Sequence, residues 1–237
     1  MIDFHSHILP EMDDGSSCVS ESEQMLKLSW EMGIDTVVAT PHYYAGNESV
    51  ECFIARRQEK YDLLMRSIND TVIIPQIVMG SETAFYVGIS RESDILKLCI
   101  GQTKYLLLEM PFTEWSSLTI KEVQGLIINR GIIPIIAHLE RYYPIQCRNG
   151  KINELLNLGV LVQVNGETFV DNELRRKMMK MLSKDAVHLL GSDCHNMNEN
   201  PPNLSQAFKH ISAKLGDGVL EKIDATGRLV LRGQRMR

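Results

Sequence analysis

The sequence has no C-x-x-C pair. Its five cysteines, Cys18, Cys52, Cys99, Cys147 and Cys194, are odd in number and scattered. That pattern points to reduced thiols in a cytoplasmic protein rather than a disulfide framework. No arginine follows any cysteine in a C-x5-R motif, so thiol-based phosphatase chemistry is excluded. No G-x-S-x-G elbow and no Walker-type loop is present. No apolar run approaches the ~20 residues of a membrane span. No basic segment and apolar core precede the strand-like sequence at Ile2, so no signal peptide is expected. No Lys/Arg run suggests a nucleic-acid groove. The balance of 25 basic and 30 acidic residues, a net charge of −5, makes a polyanion a poor default partner. Repeats, low-complexity tracts and Pro/Gly/Ser linkers are also missing, so one domain over residues 1–237 is expected.

What remains is an ordinary globular composition, 44% hydrophobic and 23% charged over 237 residues, enough to bury a sizeable core. Short apolar runs predict strands at Ile2–His5, Thr36–Thr40, Val72–Met79, Tyr105–Glu109, Ile132–Ala137, Val160–Val164 and Val187–Gly191. Helical patterns lie between them at Glu21–Met32, Val50–Ile68, Thr119–Asn129, Ile152–Leu158 and Asn172–Leu182, with one more at Leu204–Leu215. Ser20 and Glu23 suit a capping box, and Gly33, Gly131 and Gly159 suit helix ends. Alternating β and α units favour a parallel sheet with right-handed crossovers. A closed barrel and an open doubly wound sheet fit this alternation equally.

The polar residues fall at the C-terminal ends of the predicted strands. The first ends in His5 and His7, the second runs out at His42 and the third at Glu82. "YLLLEM" contributes Glu109, "IIPIIAH" His138, and "VHLLGSDCH" Asp193 and His195. Side chains at i and i+2 of a strand share a face, so His5 converges with His7, and Asp193 with His195. In parallel α/β folds such strand ends line one crevice or mouth. Five of the seven histidines fall there, with Asp14, Glu82, Glu109 and Asp193 in company. Carboxylates and imidazoles so gathered would repel or protonate without cations. A thiolate-free His/Asp/Glu set suits Mn²⁺, Fe²⁺ or Zn²⁺. Cys194 sits between two of these residues and should face away from them. His188 and His210 fall outside the pattern and read as structural. Asp3 shares a face with His5 and His7 and could orient an imidazole.

The ordered set "DFHSHILP", "DDG", "TPHYY", "GSE", "LLEMP", "AHLERY" and "SDCHN" resembles the PHP (polymerase and histidinol phosphatase) superfamily. It is most similar to the branch of metal-dependent protein-tyrosine phosphatases from bacterial capsule and exopolysaccharide loci. The resemblance runs from Met1 to about Pro202. It implies a distorted (β/α)7 barrel, TIM-barrel-like, with three divalent metal ions at its mouth, manganese ahead of iron or zinc. Carried over by position, it places His5, His7, Glu82 and Asp193 on the first metal. It places Glu82, Glu109 and His138 on the second, and Asp14, His42 and His195 on the third. Arg141 would contact the phosphate as the catalytic arginine, while metal-activated hydroxide attacks phosphorus.

The implied substrate is phosphotyrosine on a protein, expected to be a bacterial tyrosine kinase. Tyr43, Tyr44, Phe85, Tyr86, Phe112 and Trp115 lie just past strand ends, where a ring could be held. Asn200 stands where relatives often carry an arginine before Pro-Pro, so a second phosphate contact is absent or comes from Arg148 or another residue. Two alternatives share the metal set. One is a small-molecule phosphatase acting on histidinol phosphate or a sugar phosphate, the other a non-catalytic metal-binding module.

Overall fold

The computed structural model describes residues 1–69, 71–170 and 173–235. In chain order its elements are β1 (Ile2–Ser6), α1 (Val19–Glu31), β2 (Thr36–Ala39), β3 (His42–Tyr43), α2 (Val50–Ser67), β4 (Gln76–Met79) and β5 (Glu82–Ala84). After two short 3₁₀ turns come β6 (Tyr105–Glu109), α3 (Ser117–Arg130), β7 (Ile133–Ile136), α4 (Leu139–Gln146) and α5 (Lys151–Leu156). β8 (Leu161–Asn165), α6 (Glu167–Val170), α7 (Arg175–Leu182), β9 (Leu189–Gly191), α8 (Leu204–Leu215) and α9 (Asp217–Leu231) complete the order.

Every ladder is parallel, as the βα alternation requires. One sheet runs β1-β2-β4 and the other β3-β5-β6-β7-β8-β9. They join at two places. At one, Asp193 N donates to His5 O at 2.7 Å and His7 N to Cys194 O at 2.9 Å, which sets β9 beside β1. At the other, β2 leads into β3 and β4 into β5 across two-residue breaks. The result is a curled parallel sheet wrapped by helices. β6 buries both faces: Leu106 and Leu108 join the larger core cluster, Tyr105 and Leu107 the smaller one. The smaller cluster gathers Ile2, Phe4, Val38, Ile135, Leu161 and Leu189 from the strands with Val230 of α9. Apolar runs on both faces of "IIPIIAH" follow from this arrangement.

The expected elements hold with local corrections. The third strand begins at Gln76 and not Val72, because Pro75 has no N–H to give to a ladder. The second strand breaks at Pro41 for the same reason, and His42 starts a new short strand. α1 starts earlier than expected, with Cys18 at its N-cap and no capping box at Ser20. Glu21 instead accepts from Ser17 N and Oγ, each at 2.8 Å. A capping box does exist on α3, between Ser116 and Thr119. Gly33, Gly131 and Gly159 carry positive φ, as helix-ending glycines should. α7 begins at Arg175; the expected start at Asn172 lies outside the described residues. The fourth, sixth and ninth helices were not foreseen.

α9 is instructive. Its Gly227 packs directly on β1. A Cβ at Gly227 would meet Phe4 Cε2 at 2.6 Å and Ile2 Cδ1 at 3.1 Å. Gly227→Val should therefore lower stability by about 1–3 kcal/mol through overpacking. Urea denaturation measures this; an unchanged midpoint would contradict the close α9–β1 packing.

Candidate metal centre

Most donor side chains arrive where a strand ends or a bent strand resumes, and Asp14 comes from the loop between β1 and α1. β1 delivers His5 and, just beyond it, His7. β3 begins at His42 and β5 at Glu82, which pair in register. β6 ends in Glu109, His138 follows β7, and Asp193 and His195 follow β9. His138 and Asp193 hold left-handed backbone, with φ of 30° and 54°. Such a conformation costs a non-glycine residue roughly 1–2 kcal/mol. Strain of this kind collects at functional positions.

The donors meet closely. His5 Nε2 lies 3.2 Å from His7 Nε2, 2.9 Å from Glu82 Oε2 and 3.4 Å from Asp193 Oδ1. His7 Nε2 lies 3.3 Å from the same Glu82 oxygen and 3.4 Å from Asp193 Oδ1. On one side His42 Nδ1 comes within 3.2 Å of Glu82 Oε2. His42 Nε2 and His195 Nε2 each lie 3.6 Å from Asp14 Oδ1. On the other side His138 Nε2 lies 2.8 Å from Glu82 Oε1 and 3.7 Å from Glu109 Oε1. Three sets have donor atoms close enough to hold an ion: His5–His7–Glu82–Asp193, His7–Asp14–His42–His195, and His42–Glu82–Glu109. His7, His42 and Glu82 each belong to two sets, and with His138 joined through Glu82 all nine expected ligand positions gather at one site; His42 rather than His138 groups with Glu82 and Glu109.

A shell of hydrogen bonds aims these donors. Asp13 accepts from His7 Nδ1 at 2.7 Å, from His42 N at 2.8 Å and from Gly15 N at 3.0 Å. A neutral His7 then carries its proton on Nδ1 and turns Nε2 inward. Gly15 has to be a glycine: its Cβ would lie 2.3 Å from His7 O. On β8, Gln163 Oε1 takes His138 N at 2.7 Å and faces His5 Nδ1 at 3.3 Å. Gln163 Nε2 donates to Asn165 Oδ1 at 2.8 Å, and Asn165 Nδ2 to Asp193 Oδ2 at 2.9 Å. Asp13, Gln163 and Asn165 were missed in the sequence. The signal was available, since "QVN" puts two amides at i and i+2 of an otherwise apolar strand. Of the two roles open to Asp3, orienting an imidazole or bonding at the strand end, it takes the second: its Oδ1 accepts from His5 N at 3.1 Å and Ser192 N at 2.9 Å. It staples β1 to the β9 segment instead of orienting a ring.

Burial opposes charge on all these groups, and their neighbours decide the outcome. His5 is raised against burial by the Glu82 and Asp193 carboxylates. His7 is raised well above its usual value, against burial, by bonds to Asp13, Asp193 and Glu82. Glu82, also against burial, is held well below the carboxylate range by His5 and the bonded His138 and His7. Asp193 is likewise held far below, against burial, by His5, His7 and Arg141. Asp13 is lowered to about 2 by His7 although burial pushes the other way. Burial wins at His42 and His138, which are lowered. Glu109 is pushed up to about 7 by burial and by the Glu82 charge. Cys194 is buried and its thiol is pushed up to about 12, which removes it as a nucleophile, as its position between Asp193 and His195 suggested.

Arg141 reaches the site from α4, with one Nη on Asp193 Oδ2. Its side chain is 40% exposed, and its other N–H groups have no protein acceptor among the described residues. At the rim, Tyr44 is exposed and stacks 5.3 Å from His42, while Phe112 is exposed and stacks 6.0 Å from His138. A cavity of about 350 Å³ lined by Asp14, His42 and Tyr44 opens beside them. Tyr43 is not at the rim. Period-two alternation sends it opposite to His42, where it is buried against Phe53 at 5.1 Å. Trp115 is buried on Tyr142. Phe85 and Tyr86 are half-buried against the core, and Tyr86 donates toward Glu92. Asn200 serves the loop: its Nδ2 reaches Asp193 O and lies 3.3 Å from His195 Nδ1. Its side chain is therefore committed to those neighbours. Arg148 is exposed. His188 Nδ1 accepts from Val162 N at 3.1 Å, and His210 is exposed on α8, so both stay outside the site.

Comparison with known proteins agrees with this geometry. The chain is 28% identical over 228 residues to the tyrosine-protein phosphatase CpsB of Streptococcus agalactiae serotype V, covering 91% of each chain. It is 28% identical over 240 residues to the tyrosine-protein phosphatase YwqE of Bacillus subtilis, covering 99% of this chain and 92% of that one. It superposes with a TM-score of 0.88 and 25% identity on a crystal structure from the pair YwqE of Bacillus subtilis and CpsB of Streptococcus pneumoniae. Those proteins are described as metal-dependent tyrosine phosphatases, and the match covers 100% of this chain and 96% of that one. The family model for capsular polysaccharide synthesis, CpsB/CapC, matches residues 1–228, and the chain belongs to that family.

Proposed function

We propose that this chain is a metal-dependent protein-tyrosine phosphatase. Its substrate would be a cytoplasmic phosphotyrosyl protein, in first place a bacterial tyrosine kinase of capsule or exopolysaccharide synthesis. The meeting of His5, His7, Glu82 and Asp193, all buried, beside the free N–H groups of Arg141 carries this reading. The names of its relatives support the substrate class. Tyr44 and Phe112 support it too, as exposed faces that can flank a phenyl ring.

The reading takes three divalent cations, Mn²⁺ ahead of Fe²⁺ and Zn²⁺. One would lie among His5, His7, Glu82 and Asp193, one among Glu82, Glu109 and His138, and one among Asp14, His42 and His195. The donor set fits. It is nitrogen and carboxylate oxygen without thiolate, and His42 Nδ1 is buried with no hydrogen-bond partner. We also count seven staves in one barrel and one domain, taking β2 with β3 and β4 with β5 as single bent strands.

When bound, such cations supply Lewis acidity toward phosphoryl oxygens and lower the pKa of water towards ~7. The chain supplies the rest. Arg141 forks onto an equatorial phosphoryl oxygen and neutralises developing charge. Asp13 fixes His7, and Gln163 and Asn165 fix His5 and Asp193, so the donors need not reorganise. Tyr44 and Phe112 position the ring. Phenolate, with a pKa near ~10, leaves without a dedicated acid.

With Mn²⁺, hydrolysis of p-nitrophenyl phosphate should be lost in excess EDTA and restored by added metal. A phosphotyrosyl peptide should be preferred over histidinol phosphate; more than about tenfold preference for the small ester, a gap of roughly 1.4 kcal/mol, overturns the substrate assignment. Arg141→Ala should cost about 2–4 kcal/mol in kcat/KM, as for other lost oxyanion donors, and an unchanged value removes its role. Asp13→Asn should weaken metal affinity about 10- to 100-fold with the fold kept. Calorimetric metal titration reads this, and unaltered affinity shows that His7 needs no orienting carboxylate.

A further inference from the structure

The net charge of −5 conceals an uneven spread of cations. Residues 175–184, RRKMMKMLSK, hold five basic residues and no acidic one. They form α7 and the turn after it. Arg175, Arg176, Lys177, Lys180 and Lys184 are all exposed. Among the described residues none of them has a carboxylate within ion-pair distance. Elsewhere Lys27, Lys60, Lys97, Lys151 and Lys222 each hold one. Among the described residues, the basic side chains of this ridge make two contacts, Arg175 to Val170 O at 2.8 Å and Lys177 over the Tyr143 ring at 4.8 Å.

Exposed Glu173 and Asp185 flank the ridge in sequence, with Asp185 paired to Lys222, but neither cleft beside α7 holds an acid. A cleft of about 380 Å³ between α7 and α4–α5 is lined by Lys177, Lys180 and Lys184 with Tyr143, Gln146 and Asn153, and its lining has no Asp or Glu. On the other flank of α7, Arg175 and Arg176 face His210 and Lys214 of α8 around a cleft of about 480 Å³, again without an acid. A merely solvated helix face usually mixes both signs. Here five like charges lie within roughly 15 Å of helix length, too close for salt to screen near neighbours.

The topology ties the ridge to the site. β8 ends at Asn165, which bonds Asp193, and α7 then runs back toward the start of β9. Arg175 therefore stands at the mouth end and Lys184 at the far end. We infer that α7 is a docking ridge for anionic side chains, acidic or further phosphorylated, that flank the phosphotyrosine of a protein substrate. The inference rests on the phosphatase reading above. A bilayer is the poorer occupant. Met178 and Leu182 are buried in the core, so α7 has no large apolar side chain fully exposed for insertion. The cation-lined clefts are also concave, which suits separate phosphate or carboxylate groups.

The test compares wild type with Lys177→Glu/Lys180→Glu/Lys184→Glu and with the milder triple Lys→Gln variant. Substrates are p-nitrophenyl phosphate and a phosphotyrosyl peptide with acidic or neutral flanks, at low and high salt. Hydrolysis of the small ester should be unchanged in both variants. KM for the acidic-flanked peptide should rise about tenfold with kcat kept, as three exposed charge contacts act together, and wild type should lose its preference at high salt. Fluorescence anisotropy of the acidic peptide reads docking without turnover. Loss of ester hydrolysis in wild type would fail the phosphatase reading, while the anisotropy still decides the ridge. Equal peptide affinity in wild type and charge-reversed protein overturns the inference. So does charge-dependent sedimentation with phosphatidylserine vesicles when peptide affinity is untouched.

Discussion

Glu82 is 1% exposed and faces a ring nitrogen from four histidines, His5, His7, His42 and His138, at 2.8 to 3.3 Å. The site is arranged around this carboxylate. A buried, unpaired carboxylate is very costly. Four imidazoles around it relieve that cost only by carrying protons, and protons on adjacent rings repel one another. Burial and the Glu82 charge push Glu109 up to about 7, while His5, His7 and Arg141 drive Asp193 down against burial. Divalent charge at these points would replace several protons at once and leave each donor as a lone pair.

The fold makes that concentration of charge possible without unfolding the chain. Parallel strands release their last residues at one end of the curled sheet, and helices cover their flanks. Backbone bonds from Asp193 N to His5 O and from His7 N to Cys194 O draw the first and last strands together. Small residues keep the spacing tight. At Gly191 a Cβ would lie 2.5 Å from His5 Cβ and 2.7 Å from Gln163 Nε2. The left-handed turns at His138 and Asp193 then swing two donors inward, a strain the surrounding packing sustains.

Much of this was legible in the sequence. The strand-end rule located eight of the nine gathered side chains because it depends on chain direction and period two, which local sequence carries. Asp14, on the loop after β1, and Arg141 entered through the resemblance. The rim was harder to read. Tyr43 and Tyr44 are adjacent, yet only Tyr44 faces the mouth, since a short strand at His42 fixes alternation that proximity to a strand end does not. For Asp3, parity with His5 left both an orienting and a strand-end bonding role open; the Ser192 amide, supplied from far along the chain, decides for the second. Gln163 and Asn165 were passed over because amides offer no charge signature. α9 was not foreseen, and the close approach of its Gly227 to Phe4 is visible only in the fold.

The central claim is that these donors coexist by sharing divalent cations around Glu82. Anomalous diffraction from crystals grown with Mn²⁺ tests it most directly. The account predicts strong peaks at bonding distance from His5, His7, His42, His138 and Asp193, with Glu82 oxygens touching two of them. Peaks confined to surface carboxylates, with the buried histidines and Glu82 bonded only to one another, would contradict it.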